Sequence, residues 1–402
     1  MLCQFSFQNF KSYRDETVFD FQAAAIPEFA DSLIHREKCS KLLPVAVVYG
    51  PNGGGKTNLL QALSCLISAV VKPIHDLEKN RETFIMQQKV SPEPFLYDAK
   101  TPEEPTAFQI FFRTETYEYR YYLSVLHGEI ADETLDRKKI GAKKPAHLFS
   151  RSGKEIELGA ALKKAGVGTN VNLKMPYLSF LAITYDISEI ADAQRWFESC
   201  IIRSYANPMA EMQIMISDDE QMKRQIVTLL NDLDIDITDY RYDRDEQELY
   251  LIRKIGGKSY SLPFEQESDG TRKLIAALPV ILLALKEGRL VIIDELDAKL
   301  HPKLLKYVIG MFKNPEINKH GAQLLFTSHD MATMKNTVFR RDEIWFAALN
   351  DSHSSEIYSL YDIRREDNER VNSTAAFDKQ YMEGRYGADP YLQNMLSGEV
   401  WQ

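Results

Sequence analysis

Cysteine is scarce: Cys3, Cys39, Cys65 and Cys200 are the only four in 402 residues, far apart and without CxxC spacing. That pattern excludes a disulfide frame and a zinc site of the paired-cysteine kind. Also missing is any apolar run of the roughly 18–20 residues a membrane span needs. The opening Met1-Leu2-Cys3-Gln4 alternates like a strand and does not read as a secretory leader. The expectation is a cytoplasmic protein with no membrane partner. No stretch sustains the three or four heptads of a long coiled coil. Positive charge is in deficit, 49 Lys and Arg against 58 Asp and Glu for a net charge of −9. This argues against nucleic-acid binding by the surface as a whole while leaving room for a local basic patch. What is present is apolar material, 44% of the chain, enough for a sizeable core in two or three domains.

The most informative segment is Gly50-Pro51-Asn52-Gly53-Gly54-Gly55-Lys56-Thr57, directly after the apolar run Pro44 to Tyr49. Its GxxxxGKT pattern is a phosphate-binding loop: glycines let successive backbone N–H groups turn inward on phosphate oxygens, Lys56 adds a point charge, and Thr57 offers a hydroxyl to Mg²⁺. The helix that starts at Thr57-Asn58-Leu59-Leu60 directs its positive end at the same anion.

Around this loop, residues 2–21 alternate as a hairpin, and 57–71 carry apolar residues at helical spacing. Residues 107–130 return to strands, 176–205 and 218–234 read as helical, and strands resume at 239–252 and 259–262. Arg137, Lys138, Lys139, Lys143 and Lys144 form a basic cluster expected on an exposed loop, either a plain solvated turn or a contact for a nucleic-acid backbone.

A second block completes the chemistry. Glu267-Ser268-Asp269-Gly270-Thr271 precedes an apolar helical run from Leu274 to Leu285, and the strand Leu290 to Ile293 ends in Asp294-Glu295. An aspartate at the end of a buried strand beside a phosphate loop can serve Mg²⁺, and the next glutamate can activate the attacking water. A third strand, Gln323 to Thr327, ends at Ser328-His329-Asp330, where open α/β sheets place ligands. His329 is read there as a γ-phosphate contact, with a structural role as the alternative. His301, followed by Pro302, is expected to shape the chain and not to catalyse.

The order of these features resembles ABC-type ATPases, in the branch of the SMC, Rad50, RecF and OLD-like proteins. Phe7-Gln8-Asn9-Phe10-Lys11-Ser12-Tyr13 resembles that branch's first hairpin, Gly50 to Thr57 its Walker A motif, and Glu267 to Thr271 its signature. Asp294-Glu295 falls at Walker B, Leu296-Asp297 at the D-loop and His329 at the switch histidine. The signature departs from LSGGQ, and ESxGT with Asp294 to Asp297, His301-Pro302, Thr327 to Asp330, Arg341 to Trp345 and Tyr381 to Ala388 resembles the bacterial AAA15/AAA21-type ATPases, which include abortive-infection and phage-defence members.

The resemblance implies an α/β fold: a P-loop ABC-type ATPase head, with a mixed β-sheet flanked by helices, an antiparallel β subdomain, an inserted α/β lid and no long coiled coil. It divides the chain into residues 1–75 with Walker A, 76–262 with the antiparallel segment and a mostly helical lid, and 263–402 with the signature, Walker B, D-loop and switch histidine. The implied cofactors are ATP and Mg²⁺. Gly50 to Asn58 would bind ATP, with Thr57 and Asp294 on the metal, Glu295 as base, and His329 and Lys56 in catalysis. Ser268, Asp269 and Gly270 would reach across a homodimer or higher homo-oligomer of heads. Gln87 and Gln88 are candidates for the Gln-loop. The implied function is an ATP-hydrolysing switch or scaffold controlling a separate effector, such as a nuclease or toxin, in anti-phage defence. The alternative is a RecF- or Rad50-like DNA-repair ATPase, so nucleic acid stays open as a partner.

Overall fold

The computed structural model describes residues 1–77, 92–205, 207, 208, 211, 220–243, 245, 246, 248–364 and 368–388. Its strands form three sheets. The first is antiparallel, ordered β2 (Thr17–Asp20), β1 (Leu2–Gln8), β4 (Thr106–Arg113), β5 (Tyr117–Leu126), β6 (Glu129–Lys139), β7 (Ala146–Ser152) and β8 (Glu155–Leu158). Period-two alternation makes it one-sided, as in β4, where Phe108, Ile110 and Phe112 are buried between half-exposed Gln109 and Phe111.

The central sheet runs β16 (Ser355–Ser359), β15 (Ile344–Leu349), β3 (Val45–Tyr49), β14 (Gln323–Thr327), β13 (Leu290–Ile293) and β9 (Ile201–Arg203). All neighbours are parallel except the β15–β16 edge pair. A parallel sheet is covered on both faces, and β3, sequence VAVVY, is accordingly buried at every position. Val45, Val47 and Tyr49 point into one core, and Ala46 and Val48 into the other. The second of these cores is closed by the seven-stranded sheet with helices α1 (Lys56–His75), α3 (Tyr177–Thr184) and α4 (Ser188–Ser199). Trp196 of α4 stacks on Phe112 at 4.2 Å between centroids. The short helix α2 (Ala160–Ala165) lies against β7 and β8.

The other core is built on α5 (Glu220–Asp232), α6 (Asp269–Glu287), α7 (Pro302–Lys313) and α8 (Phe377–Met382), with a third sheet of β10 (Asp239–Asp243), β11 (Glu248–Ile255) and β12 (Lys258–Pro263). The fold is α/β, with a mixed sheet flanked by helices and an antiparallel sheet beside it. Among the described residues the longest helix is α1, at 20 residues, and there is no long coiled coil.

Several expectations need correction. Arg137, Lys138 and Lys139 do not sit on a loop but end strand β6. Arg137 stacks over the Tyr117 ring and pairs with Glu189 at 2.8 Å, and Lys138 pairs with Glu118. Only Lys143 and Lys144 lie in the exposed turn. Residues 176–205 are not all helix: two helices are followed by β9, which extends the central sheet beside β13. Helix α6 starts at Asp269, a turn before the apolar run, because Ser268 caps it by accepting from Thr271 N. Helix α1 has the length and apolar composition of a membrane-crossing segment although polar residues interrupt its apolar run, yet it is a core helix packed on α3, α4 and β14.

Candidate nucleotide-binding site

Strand β3 ends at Tyr49, and the chain turns sharply over the β15–β16 edge. Gly50 has φ of +146°, and a Cβ there would sit 2.1 Å from Ala347 O; one on Gly54 would sit 2.6 Å from the same oxygen. Only glycine permits this close passage. Gly55, at φ +106°, is packed on Ser355 and accepts at its carbonyl from Tyr13 Oη at 3.2 Å. Burial pushes the Tyr13 phenol up, which keeps it a donor. Asn58 Nδ2 donates to Ser12 Oγ at 2.8 Å, so the turn after β1 braces the start of α1. Pro51 is half-buried, whereas Asn52 and Gly53 are exposed at the loop crest.

Lys56 Nζ donates to Gly50 O and Pro51 O at 2.9 and 3.0 Å. Burial lowers its pKa, and Asp294, Glu295 and Asp297 oppose that shift. Thr57 Oγ1 donates to Asp294 Oδ2 at 2.9 Å. Two adjacent ligands on an octahedral cation with bonds of about 2.05 Å lie about 2.9 Å apart, so this oxygen pair has the spacing and hardness that Mg²⁺ takes. Asp294 Oδ1 accepts from Thr327 Oγ1 at 2.6 Å, and the same hydroxyl accepts from Glu295 N at 2.7 Å. Thr327 therefore ties the end of β14 to the Asp294-Glu295 pair. Asp297 Oδ2 accepts from His329 N at 2.9 Å. Glu295 is exposed, and its backbone is left-handed at φ +51°.

The structure thus brings Lys56, Thr57, Asp294, Glu295 and His329 to the C-terminal ends of β3, β13 and β14, where a parallel sheet offers its ligand crevice. A cavity of about 710 Å³ there is lined by Thr57, Gln61, Asp269, Lys273, Asp294 and Glu295 among others. Ser268 lies exposed at the start of α6. Asp269 pairs with Lys299 at 2.7 Å and with Arg272, and both cations hold its carboxyl below the usual range. A Cβ on Gly270 would lie 2.6 Å from Lys299 O. His301 caps α7, its Nδ1 accepting from Lys303 N at 3.2 Å. Gln87 and Gln88 lie outside the described residues. The motif ending in Asp330 includes Thr327, but its spacing gives no sign that this hydroxyl bridges to Asp294 and Glu295; Lys273, just before the apolar run, carries no motif at all.

A glycine-rich loop on a parallel strand, followed by a lysine-led helix and faced by strand-end carboxylates, defines a P-loop nucleotide-binding protein of α/β fold. Residues 45–335 match the family described as "AAA domain, putative AbiEii toxin, Type IV TA system", and the chain belongs to that family. Similar solved structures include an SMC head bound to the C-winged helix domain of ScpA, at 13% identity, TM-score 0.44, covering 89% of this chain and 97% of that one. The SMC head domain from Thermotoga maritima gives 12%, 0.43, 89% and 98%. RecF of the RecFOR pathway gives 11%, 0.33, 89% and 98%. No curated protein matches the chain.

Proposed function

We propose that the chain is an ATP-hydrolysing switch or scaffold whose heads pair around ATP and Mg²⁺, as a homodimer or higher homo-oligomer, and control a separate effector in anti-phage defence. The observation that carries the nucleotide part is the 2.9 Å approach of Thr57 Oγ1 to Asp294 Oδ2, with Glu295 next in sequence. In this reading Gly50 to Asn58 and Lys56 hold the phosphates, and Thr57 and Asp294 hold Mg²⁺, which withdraws charge from the phosphates when bound. Glu295 takes a proton from the attacking water, and His329 senses the γ-phosphate. Segments 1–75 and 263–402 handle the nucleotide, and 76–262 links them.

The pairing of heads is supported by the exposure of Ser268 at a helix start, from which Ser268, Asp269 and Gly270 reach a partner's nucleotide. The effector, a nuclease or toxin, rests on the family description, which speaks of a putative toxin and a type IV toxin–antitoxin system. A second reading, a RecF-like DNA-binding ATPase, is favoured by the exposed Lys143 and Lys144, whose turn lies against Lys38 at Gly141.

ATP binding and phosphate release by the purified chain test the first reading. Lys56→Ala is expected to lose nucleotide affinity, and Glu295→Gln to bind ATP without turning it over. Normal ATP affinity in the first variant, or normal turnover in the second, contradicts the assignment.

A further inference from the structure

Lys273 is the one residue of the cavity whose burial is out of keeping with its chemistry. It lies on α6, three residues after Gly270 and four after Asp269, and so on the same helix face as both. It is only 4% exposed. Its ammonium group donates to a main-chain oxygen, that of Glu295, at 2.5 Å. Asp297, Glu295 and Asp294 compensate its charge only in part, and burial lowers its pKa to about 8.

The contact falls on a marked piece of backbone. Glu295 and Lys299 both adopt left-handed conformations, at φ +51° and +65°, which non-glycine residues reach only where the surroundings hold them. Both polar groups of the Glu295 main chain meet side chains from other elements: its N–H donates to Thr327 of β14, and its carbonyl, which also accepts from Ala298 N at 3.1 Å, accepts the shorter bond from Lys273 of α6. Held at both sides, the residue keeps a fixed Cα–Cβ direction and only its side-chain torsions stay free. The helix meets the same acidic segment a second time where Gly270 packs on Lys299 O and Asp269 pairs with Lys299 Nζ.

We propose that Lys273 is a positioning residue: from the buried flank of the helix that begins with the signature, it pins the peptide of Glu295, so that the signature segment and the hydrolytic carboxylate of one chain move as a unit. The consequence is coupling within the chain. A partner's nucleotide that engages Ser268 and Gly270 shifts α6, and through Lys273 that shift reaches Glu295. The inference rests on the reading of Glu295 as the base.

The test compares wild type, Lys273→Met, Lys273→Arg and Glu295→Gln as full-length chains with ATP and Mg²⁺. Lys273→Met keeps the length of the side chain and removes the donor. It is expected to lower kcat roughly 10- to 100-fold, the scale of a reacting group misplaced by about 1 Å, while KM for ATP stays within about twofold. Lys273→Arg is expected to restore most of the turnover. The melting temperature of Lys273→Met should not fall, since a buried charge is replaced by an apolar chain. A kcat within about twofold of wild type in Lys273→Met, with Glu295→Gln inactive, overturns the proposal alone. Should Lys273→Met melt early, Lys273→Arg decides: recovered turnover in Lys273→Arg supports the pin, and a folded Lys273→Arg as inactive as Glu295→Gln overturns it. Normal turnover in Glu295→Gln overturns the base itself, and the pin with it.

Discussion

At the scale of single residues, the phosphate loop is defined by what cannot be added to it. A methyl group on Gly50 would meet Ala347 O at 2.1 Å on backbone already at φ +146°, whereas one on Gly53, at φ +80°, would meet nothing within 4 Å. Gly53→Ala therefore bears only the conformational cost, about 1–2 kcal/mol. Gly50→Ala adds a clash with main chain, costing about 1–3 kcal/mol more, and urea unfolding of the two variants should rank them in that order. Lys273 gives a pH-dependent counterpart. Its folded pKa of about 8 lies below the usual 10.5, so between those values the unfolded chain binds more protons than the folded one, and stability rises with pH. Relative to Lys273→Met, the wild type should gain stability from pH 8 to 10.5, by at most about 3 kcal/mol. A flat difference across that window contradicts the assigned burial of the charge. Lys56, Thr57, Asp294 and Glu295 were legible because their spacing is itself the chemistry. Lys273 was not, because it stands beside Arg272 just before the apolar run, and the sequence carries no sign of which of the two cations faces inward.

At the scale of elements, legibility followed the strength of the local pattern. Strands β3, β13 and β14 are short apolar runs with clear ends, and α1 follows its loop without a break. Strand β9, only three residues long and one residue past the end of α4, has too few positions to show a period. The end of β6 was obscured because Arg137, Lys138 and Lys139 write charge over the alternation; pairing with Glu118 and Glu189 and stacking on Tyr117 are tertiary events. The same blindness hides the pair that joins α7 to the turn just before β15. Lys313 Nζ donates to Glu343 at 2.6 Å and to Val338 O, with both side chains buried. Lys313→Met should cost about 3–5 kcal/mol because it strands a buried carboxylate, and Lys313→Met with Glu343→Gln should cost clearly less. Equal losses in the single and double variants, measured by denaturant titration, would show that the pair is not coupled.

At the scale of the molecule, the central sheet gathers strands from residues 45–49, 201–203, 290–293, 323–327, 344–349 and 355–359, so the site exists only when distant parts of the chain have met. The seven-stranded sheet closes one side of it and α6 with α7 the other, leaving the loop, the carboxylates and the start of α6 toward one crevice. That arrangement favours the proposed pairing of heads: the helix capped by Ser268 begins exposed, and Lys273 bonds that helix to the main-chain oxygen of Glu295 in its own chain. The most direct measurement is the solution mass of Glu295→Gln by light scattering with and without ATP and Mg²⁺. Pairing of heads predicts a single chain of 46.2 kDa without nucleotide and at least twice that mass with it. A variant that binds ATP and stays at the mass of one chain contradicts it.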